Sequence, residues 1–345
     1  MFGIDNFVSN SFHLNSNESY YLQTTNYLTT INEEYTTAVK DLYKSVVENK
    51  DNDVVLNESF SSFLDKLYSV IKKIVEFIKS LFEACLKFIA DQVNINAYFK
   101  SRAKTLKTKF YDEQEFEYDG YEYRSDLYTT KSSQVKLTYH METLTNLLVK
   151  GLDRGFIESA KQATSPKQLA VIINQYSNNL RDFLDYTYYD HIRGEILDSY
   201  NYQTIVRDDF KQECDNYFRC GDSGIQTLVI NPKTILKYIG FIDDYNTIKQ
   251  AIKQEQKDFD RLMNNTIDSV KSYATTLIQE NFYTNPKVAI TEDVRTQFDI
   301  YTKRISVAMQ ETLNIYALYI ASKLDAAKEL YNQSVDICRE ALMRC

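Results

Sequence analysis

The residues best suited to acid–base chemistry form one small group near the middle of the chain. Asp190, His191 and Glu195 lie within the segment YDHIRGE, and the whole chain has only three histidines. On a helix, Glu195 lies one turn beyond His191, where its carboxylate could orient the imidazole ring of a general base. No obvious nucleophile and no glycine-rich oxyanion loop lies nearby. We therefore expect no catalytic site here and predict that the protein is not an enzyme.

The cysteines offer little metal chemistry. Cys214 and Cys220 are too far apart for the usual zinc-binding pair, which has about two to four residues between its ligands. No second pair follows at that spacing, and the motifs HExxH, GxGxxG and GxxxxGK[ST] are missing from the sequence. We interpret these cysteines as structural thiols, and we expect neither a metal site nor a bound cofactor.

The strongest pattern in the chain is an amphipathic helix over residues 60–99, expected to begin after a break in DNDVVLNES. Apolar residues recur there with heptad spacing and cover an arc of roughly 160° at about 100° per residue. So broad an apolar face must be covered by the protein's own core, by a partner or second copy, or by lipid. The residues proposed for this partner or membrane face are Phe60, Phe63, Leu67, Ile74, Phe77, Ile78, Leu81, Phe82 and Phe88.

The polar side of the same helix bears on these alternatives. Asp65, Glu76 and Glu83 nearly balance the lysines of this side, which weakens attraction to anionic lipid. Charged residues also interrupt every apolar stretch before it reaches the length of a transmembrane helix, about 20 residues. We therefore expect no transmembrane span. We interpret residues 60–99 first as a core or assembly helix and keep insertion into lipid by a peripheral membrane-active protein as the alternative.

A basic run follows the amphipathic helix directly. The segment KSRAKTLKTK carries five cations, and the next segment, YDEQEFEYD, carries five anions. Such a bipolar patch either pairs with itself or forms a docking site for an acidic partner or for phosphate. The net charge of −8 and the pI near 5.2 argue against direct nucleic-acid binding. The candidate docking charges are Lys100, Arg102, Lys104, Lys107 and Lys109.

Composition and turn signals define the expected fold. The chain has 8 glycines and 3 prolines in 345 residues, too few for a sheet-rich protein. We predict a mainly α protein, an elongated bundle of long antiparallel helices. One small β-hairpin is predicted near residues 115–124, because Asp119-Gly120 separates two arms in which aromatic residues alternate with glutamate. The segment IQTLVI, residues 225–230, is a candidate for one short strand.

Helical periodicity divides the chain into three regions. Residues 1–110 form an N-terminal helical region, residues 111–230 a hairpin plus a central helical region, and residues 231–345 a long C-terminal helical hairpin. The last helix keeps its apolar spacing from about Thr291 onward, which predicts about 50 residues and roughly 75 Å, paired within the chain or between chains. The other predicted helices span residues 17–48, 133–150, 165–194, 231–243 and 244–282.

Cysteine usage and the N-terminus indicate the compartment. The cysteines are odd in number and scattered, and the first residues have neither a basic start nor a continuous apolar stretch. We therefore expect a protein of the reducing cytoplasm that is not exported by a signal peptide.

The order of features over residues 55–125 resembles a known group of proteins. FLDKLYSVIKKIVEFIKSLFEACLKFI is followed by the basic run and then by FEYDGYEY. This order is similar to that of structural proteins in the virions of large tailed bacteriophages. The resemblance implies a non-enzymatic virion component made in a bacterial cytoplasm, structural or packaged inside the head and ejected with the genome. Its partners would be other virion proteins or itself. No catalytic or binding motif defines the group, so no site residue carries over from it.

Overall fold

A computed structural model describes most of the predicted helices. The residues that it describes are 18–48, 53–110, 115–124, 162–183, 207–220, 224–243, 249–261, 263–264 and 292–345, with the single positions 14, 127 and 159. They are mostly helical, as composition predicts, and the sheet they contain has two strands. The elements in chain order are α1 (Tyr20–Glu48), α2 (Asp53–Asp91), α3 (Val93–Lys109), β1 (Phe116–Gly120), α4 (Pro166–Phe183), α5 (Arg207–Phe218), β2 (Gln226–Ile230), α6 (Pro232–Asp243), α7 (residues 249–261) and α8 (Glu292–Arg344).

The amphipathic segment is not the single helix over 60–99 that its pattern predicts. α2 begins at Asp53, inside the segment predicted as a break, and ends at Asp91. An acidic first residue suits a helix N-terminus, where the helix dipole favours negative charge. Gln92 then has φ −88° and ψ 3°, and its N–H donates to the Ile89 carbonyl 3.2 Å away. This tight turn separates α3 from α2, so the apolar face of residues 60–89 does not continue onto the basic run.

α1 lies antiparallel to α2. Tyr27 stacks on Phe77 with 4.2 Å between ring centroids, and Lys66 forms an ion pair with Asp41 at 3.1 Å. Residue numbers therefore rise along α1 as they fall along α2. The pairing follows from the sequence, because each helix has one apolar side that must be removed from water.

α8 is the continuous C-terminal helix that the apolar spacing predicts. It has 53 residues, about 80 Å at about 1.5 Å per residue. α1 is antiparallel to it as well, since Tyr20 contacts Asp325 and Asn32 lies 3.4 Å from Asn314. α8 also packs against α2, α3, α4, α5 and α6. The longest helix is thus the common neighbour of most described elements.

The predicted hairpin is wrong, although its first arm is a strand. β1 pairs antiparallel with β2, so that Phe116 lies opposite Ile230 and Gly120 lies opposite Gln226. The arm that should have returned after the turn contributes a single bridge, from Tyr123 to Arg219. Gly120 does not have the positive φ that an Asp-Gly turn requires. The IQTLVI strand, by contrast, is confirmed, and its β-branched residues supply the partner edge.

Two of the helix starts follow their sequence signals. At α4, Ser165 Oγ accepts from the Gln168 N–H at 3.2 Å, as in a capping box. At α6, Asn231 Oδ1 accepts from the N–H groups of Lys233 and Thr234 at 2.9 and 3.0 Å. The short helix predicted over 231–243 is therefore confirmed. The helix predicted over 133–150 lies outside the described residues. So do residues 184–194 of the helix predicted over 165–194, and residues 244–248, 262 and 265–282 of the helix predicted over 244–282.

Among the described residues, two buried clusters form the core. The first joins α1, α2, α4, α7 and the middle of α8. The second joins α3, both strands, α6 and the last turns of α8. Each cluster draws residues from more than one of the regions 1–110, 111–230 and 231–345, and α8 contributes to both.

Candidate functional site

The apolar face of α2 lies inside this chain over its second half. Ile74, Ile78, Leu81 and Phe82 are fully buried, and Phe77 is nearly so. Phe88 is half-buried and packs edge-on against Tyr331 with 5.9 Å between ring centroids. The side chains of Phe60, Phe63 and Leu67 lie outside the described residues.

Aromatic contacts from three other helices cover this face. Tyr27 of α1 covers Phe77, and Phe82 lies 6.2 Å from the ring of Phe259 in α7. Phe259 in turn stacks on Tyr316 of α8 at 5.1 Å. These offset and tilted arrangements suit aromatic quadrupoles, and each fully buried ring stabilises the fold by about 1.5–3 kcal/mol. The face that sequence left without a cover is therefore covered by α1, α7 and α8.

The basic run occupies the exposed side of α3. Phe99, Ala103 and Leu106 point into the second core cluster. Lys100, Arg102, Lys107 and Lys109 are exposed, and Lys104 lies on the same helix with its side chain outside the described residues. Among the described residues, none of the four exposed cations lies within ion-pair distance of a carboxylate.

The acidic half of the bipolar patch does not neutralise the basic half within the described residues. Glu115, Glu117 and Asp119 are exposed on and before β1. Asp119 accepts a hydrogen bond from the Thr227 hydroxyl at 3.0 Å on the neighbouring strand. The two halves lie on different elements, and among the described residues no ion pair joins them.

A buried ion pair links α7 to α8. Lys323 Nζ lies 2.6 Å from Glu255 Oε2, with the side chains only 8% and 11% exposed. Cys85 of α2 lies close enough to feel both charges. Its burial, reinforced by the Glu255 carboxylate, raises the pKa of the thiol to about 12. A thiol in this state has no thiolate for nucleophilic or metal chemistry near neutral pH.

A carboxylate of α8 caps the start of α1. Asp325 accepts hydrogen bonds from the Tyr20 and Tyr21 N–H groups at 2.8 and 2.9 Å, and from the Ser19 hydroxyl at 2.7 Å. Burial raises the pKa of this carboxyl above its usual range, although the three donors act in the opposite direction. The contact satisfies backbone donors that a helix start leaves unpaired.

A polar network fastens the 120–123 segment to α8. Glu329 Oε2 accepts from the Arg219 guanidinium at 2.6 Å and from the Tyr123 hydroxyl at 3.1 Å. Arg219 also lies over the Tyr121 ring at 4.3 Å. Gln333 accepts from the Tyr121 N–H and donates to its carbonyl, at 2.9 and 2.8 Å. Burial, then the Glu329 carboxylate, raises the pKa of Tyr123 far above its usual range.

The sequence pattern did not reveal these polar contacts on α8. The available signal was the occurrence of charged and amide residues at positions that the apolar spacing places toward the core. Their partners, however, are about 70 to 300 residues away in sequence, as with Glu255 and Tyr20. The chemistry of the network is structural, because each polar group is used to hold one element against another.

The residues first considered for chemistry do not form a described centre. Asp190, His191 and Glu195 lie outside the described residues. Cys214 is buried in α5, as expected of a structural thiol, whereas Cys220 is exposed. In the described part of the chain, no three His, Cys, Asp or Glu residues are grouped to hold a metal ion. Likewise, no helix in that part is long and apolar enough to cross a bilayer.

Comparison with known proteins supplies no family for this chain. No protein-family model, no curated protein and no solved structure matches it. The function of the chain is therefore inferred from its residues and their contacts.

Proposed function

We propose that this chain is a non-enzymatic structural or internal protein of a bacteriophage virion, acting through assembly contacts. One observation carries the proposal: a single helix of 53 residues organises the described fold, and its buried polar side chains fasten other elements. A continuous strut of about 80 Å suits a component that spans or spaces parts of an assembly. The order of features over residues 55–125 adds the resemblance to tailed-phage virion proteins.

The proposed architecture is an elongated bundle of long antiparallel helices. It is supported by the antiparallel contacts of α1 with α2 and with α8. The apolar face of α2 contributes to this bundle from within. Assembly contacts would then use outer surfaces, and the basic side of α3, with four exposed cations, is a candidate among the described elements.

The proposed location is the virion, after synthesis in the cytoplasm of a bacterial host. The proposed partners are other virion proteins or further copies of this chain. Direct genome binding is not part of the proposal, because a net charge of −8 repels a polyanion.

Mass spectrometry of purified phage particles tests this assignment. Peptides from this chain should co-purify with particles through two successive density gradients and remain after nuclease and salt washing. Protease treatment of intact and osmotically opened particles then distinguishes a surface protein from one packaged inside the head. A reproducible absence of its peptides from particles, with abundant peptides in the infected-cell lysate, would overturn the proposal.

The lipid-inserting alternative requires α2 to leave its neighbours. Phe77 and Phe82 contact α1 and α7, so exposing them to a bilayer would open the first core cluster. Flotation with anionic liposomes separates the two functions. Under the proposed function the folded protein stays at the bottom of the gradient. Flotation that Phe77→Asp abolishes without unfolding the protein would favour the membrane function.

A further inference from the structure

Two described surfaces of opposite charge carry no ion-pair partner, and each also exposes apolar side chains. One is a row on α3 made of Tyr98, Arg102 and Lys109, here called the α3 row. The other is formed by Glu115, Glu117 and Asp119 along β1, here called the β1 stripe. We propose that the α3 row of one copy of this chain binds the β1 stripe of a second copy.

The α3 row follows from helical geometry. At about 100° per residue, residues 98, 102 and 109 share one side of the helix, while Lys100 and Lys107 lie on the other side. Tyr98 is 51% exposed, and the Arg102 guanidinium lies 5.8 Å from the centroid of its ring. An exposed tyrosine beside arginine is the composition found at the centres of protein interfaces.

The β1 stripe follows from strand geometry. Alternate residues of a strand point to one face, so Glu117 and Asp119 lie together on the exposed side of the sheet. In the same register, Glu117 lies opposite Val229, which is 50% exposed, and Ile225 just before β2 is 65% exposed. The stripe therefore offers carboxylates with an apolar border, the complement of cations bordered by an aromatic ring.

The two surfaces also have comparable lengths. The cations Arg102 and Lys109 lie about 10 Å apart along the helix axis, and the carboxylates from Glu115 to Asp119 extend over about 14 Å of strand. Like charges that are close together on one element repel each other, and a surface of opposite charge relieves both repulsions.

A protein partner fits these surfaces better than a nucleic acid does. A nucleic acid could bind only the cations of the α3 row and would be repelled by the exposed carboxylates of the β1 stripe. A second copy supplies the carboxylates that the α3 row requires, over a comparable length. The inference rests on the proposed assembly function, but it is measured on purified protein and can fail while the particle assignment holds.

Charge reversal on each surface tests the contact by sedimentation velocity across a concentration series. Two double variants should each weaken self-association at least about tenfold. One is Arg102→Glu with Lys109→Glu, and the other is Glu117→Lys with Asp119→Lys. An equimolar mixture of these two variants should associate again, because each then meets a surface of opposite charge. Self-association of the unchanged protein should weaken between about 0.05 M and about 0.5 M salt.

A matched control lies on the same helix. Lys100→Glu with Lys107→Glu makes the same change of net charge on the opposite side of α3 and should keep association within about threefold. Circular dichroism verifies that each variant is folded. If a reversal variant unfolds, two neutral variants test the same contact. One is Arg102→Gln with Lys109→Gln, and the other is Glu117→Gln.

Several results would overturn the inference. They are a protein that stays monomeric at every concentration, a reversal variant that associates like the unchanged protein, and a mixture that stays monomeric. Loss of association in the Lys100 and Lys107 control would also overturn it. Binding of a fluorescent oligonucleotide to the α3 row would also overturn the inference if charge reversal on the row leaves self-association unchanged. The row would then bind nucleic acid and not a second copy.

Discussion

Removing one member of the buried Lys323–Glu255 pair should destabilise the protein far more than removing both. Lys323→Met deletes the cation that lies 2.6 Å from the Glu255 carboxylate, whose side chain is only 11% exposed. Methionine has nearly the length of lysine, so the substitution removes the charge with little change of packing. The perturbation is thus mainly electrostatic.

The magnitude follows from the contact distance. At 2.6 Å and an effective dielectric of about 20, the gross attraction is about 6 kcal/mol, and desolvation of both ions offsets much of it. A buried charge that loses this ion-pair partner retains its desolvation cost without the attraction. Lys323→Met should therefore lower the free energy of unfolding by about 3–5 kcal/mol, and Glu255→Met by a similar amount. The double variant, which buries no charge, should lie within about 1–2 kcal/mol of the original protein.

Urea unfolding followed by circular dichroism and by tyrosine fluorescence measures these values, since the chain has no tryptophan. The control is Lys66→Met, which removes an ion pair of 3.1 Å whose side chains are 48% and 59% exposed. An exposed pair of this kind should contribute less than about 1 kcal/mol. A double variant as unstable as the sum of the two single variants, or a Lys323→Met no costlier than Lys66→Met, would refute the reasoning.

Three further predictions concern the core, the α1 cap and the sheet. Phe77→Asp should unfold the protein or lower its free energy of unfolding by more than about 4 kcal/mol, because it buries an unpaired carboxylate; thermal denaturation measures this. The loss of unfolding free energy caused by Asp325→Asn should grow as the pH falls. Because the pKa of Asp325 is raised, the folded state binds a proton more readily than the unfolded state does, and this stabilises the original protein at low pH but not the variant. Urea unfolding at a series of pH values measures the difference. Gly120→Ala should cost about 1–3 kcal/mol in the same assay, since the added Cβ would lie 2.6 Å from the Gln333 Oε1.

Each of these predictions has a contradicting outcome, and those for Phe77 and Gly120 also have a control variant. Val171→Asp, at an exposed position, should cost less than about 0.5–1 kcal/mol, and equal costs at positions 77 and 171 would show that Phe77 is not buried. For Asp325, the pH window runs from about 4, the usual carboxyl value, up to the raised pKa; a cost that shrinks as pH falls would show a depressed pKa instead. Gly240→Ala, with nothing within 4 Å of the added Cβ, should stabilise α6 by about 0.5–1 kcal/mol. A Gly120→Ala protein as stable as the original would contradict the close approach to Gln333.

Local patterns predicted the elements better than their partners. The alternation around Asp119-Gly120 marked a strand correctly, but it did not reveal that β2, more than a hundred residues later, would pair with it. Alternation defines which residues face one side, whereas pairing depends on which edge the tertiary fold brings near. The turn at Gln92 was also missed, because apolar residues continue on both sides of it.

The candidate site was predicted in part. The apolar face around Ile74 and Phe77 was visible from its spacing, yet its cover was not, since lipid, a partner and the protein's own helices all present apolar surface. Lys323 and Asp325 could not be distinguished from exposed charges, because their partners are distant in sequence. The exposed cations of α3 were the easiest to predict, since charges usually remain in water.

The sequence by itself determined the helical character, the long continuous α8, the amphipathic face of α2 and the cationic side of α3. These depend on composition and on periodicity over a few turns, which short-range physics controls. Tertiary structure alone decided that α1, α7 and α8 cover α2, that β1 joins β2, and that Glu255 meets Lys323. Burial and charge pairing each depend on two surfaces that come into contact. One stretch of sequence contains only one of those two surfaces.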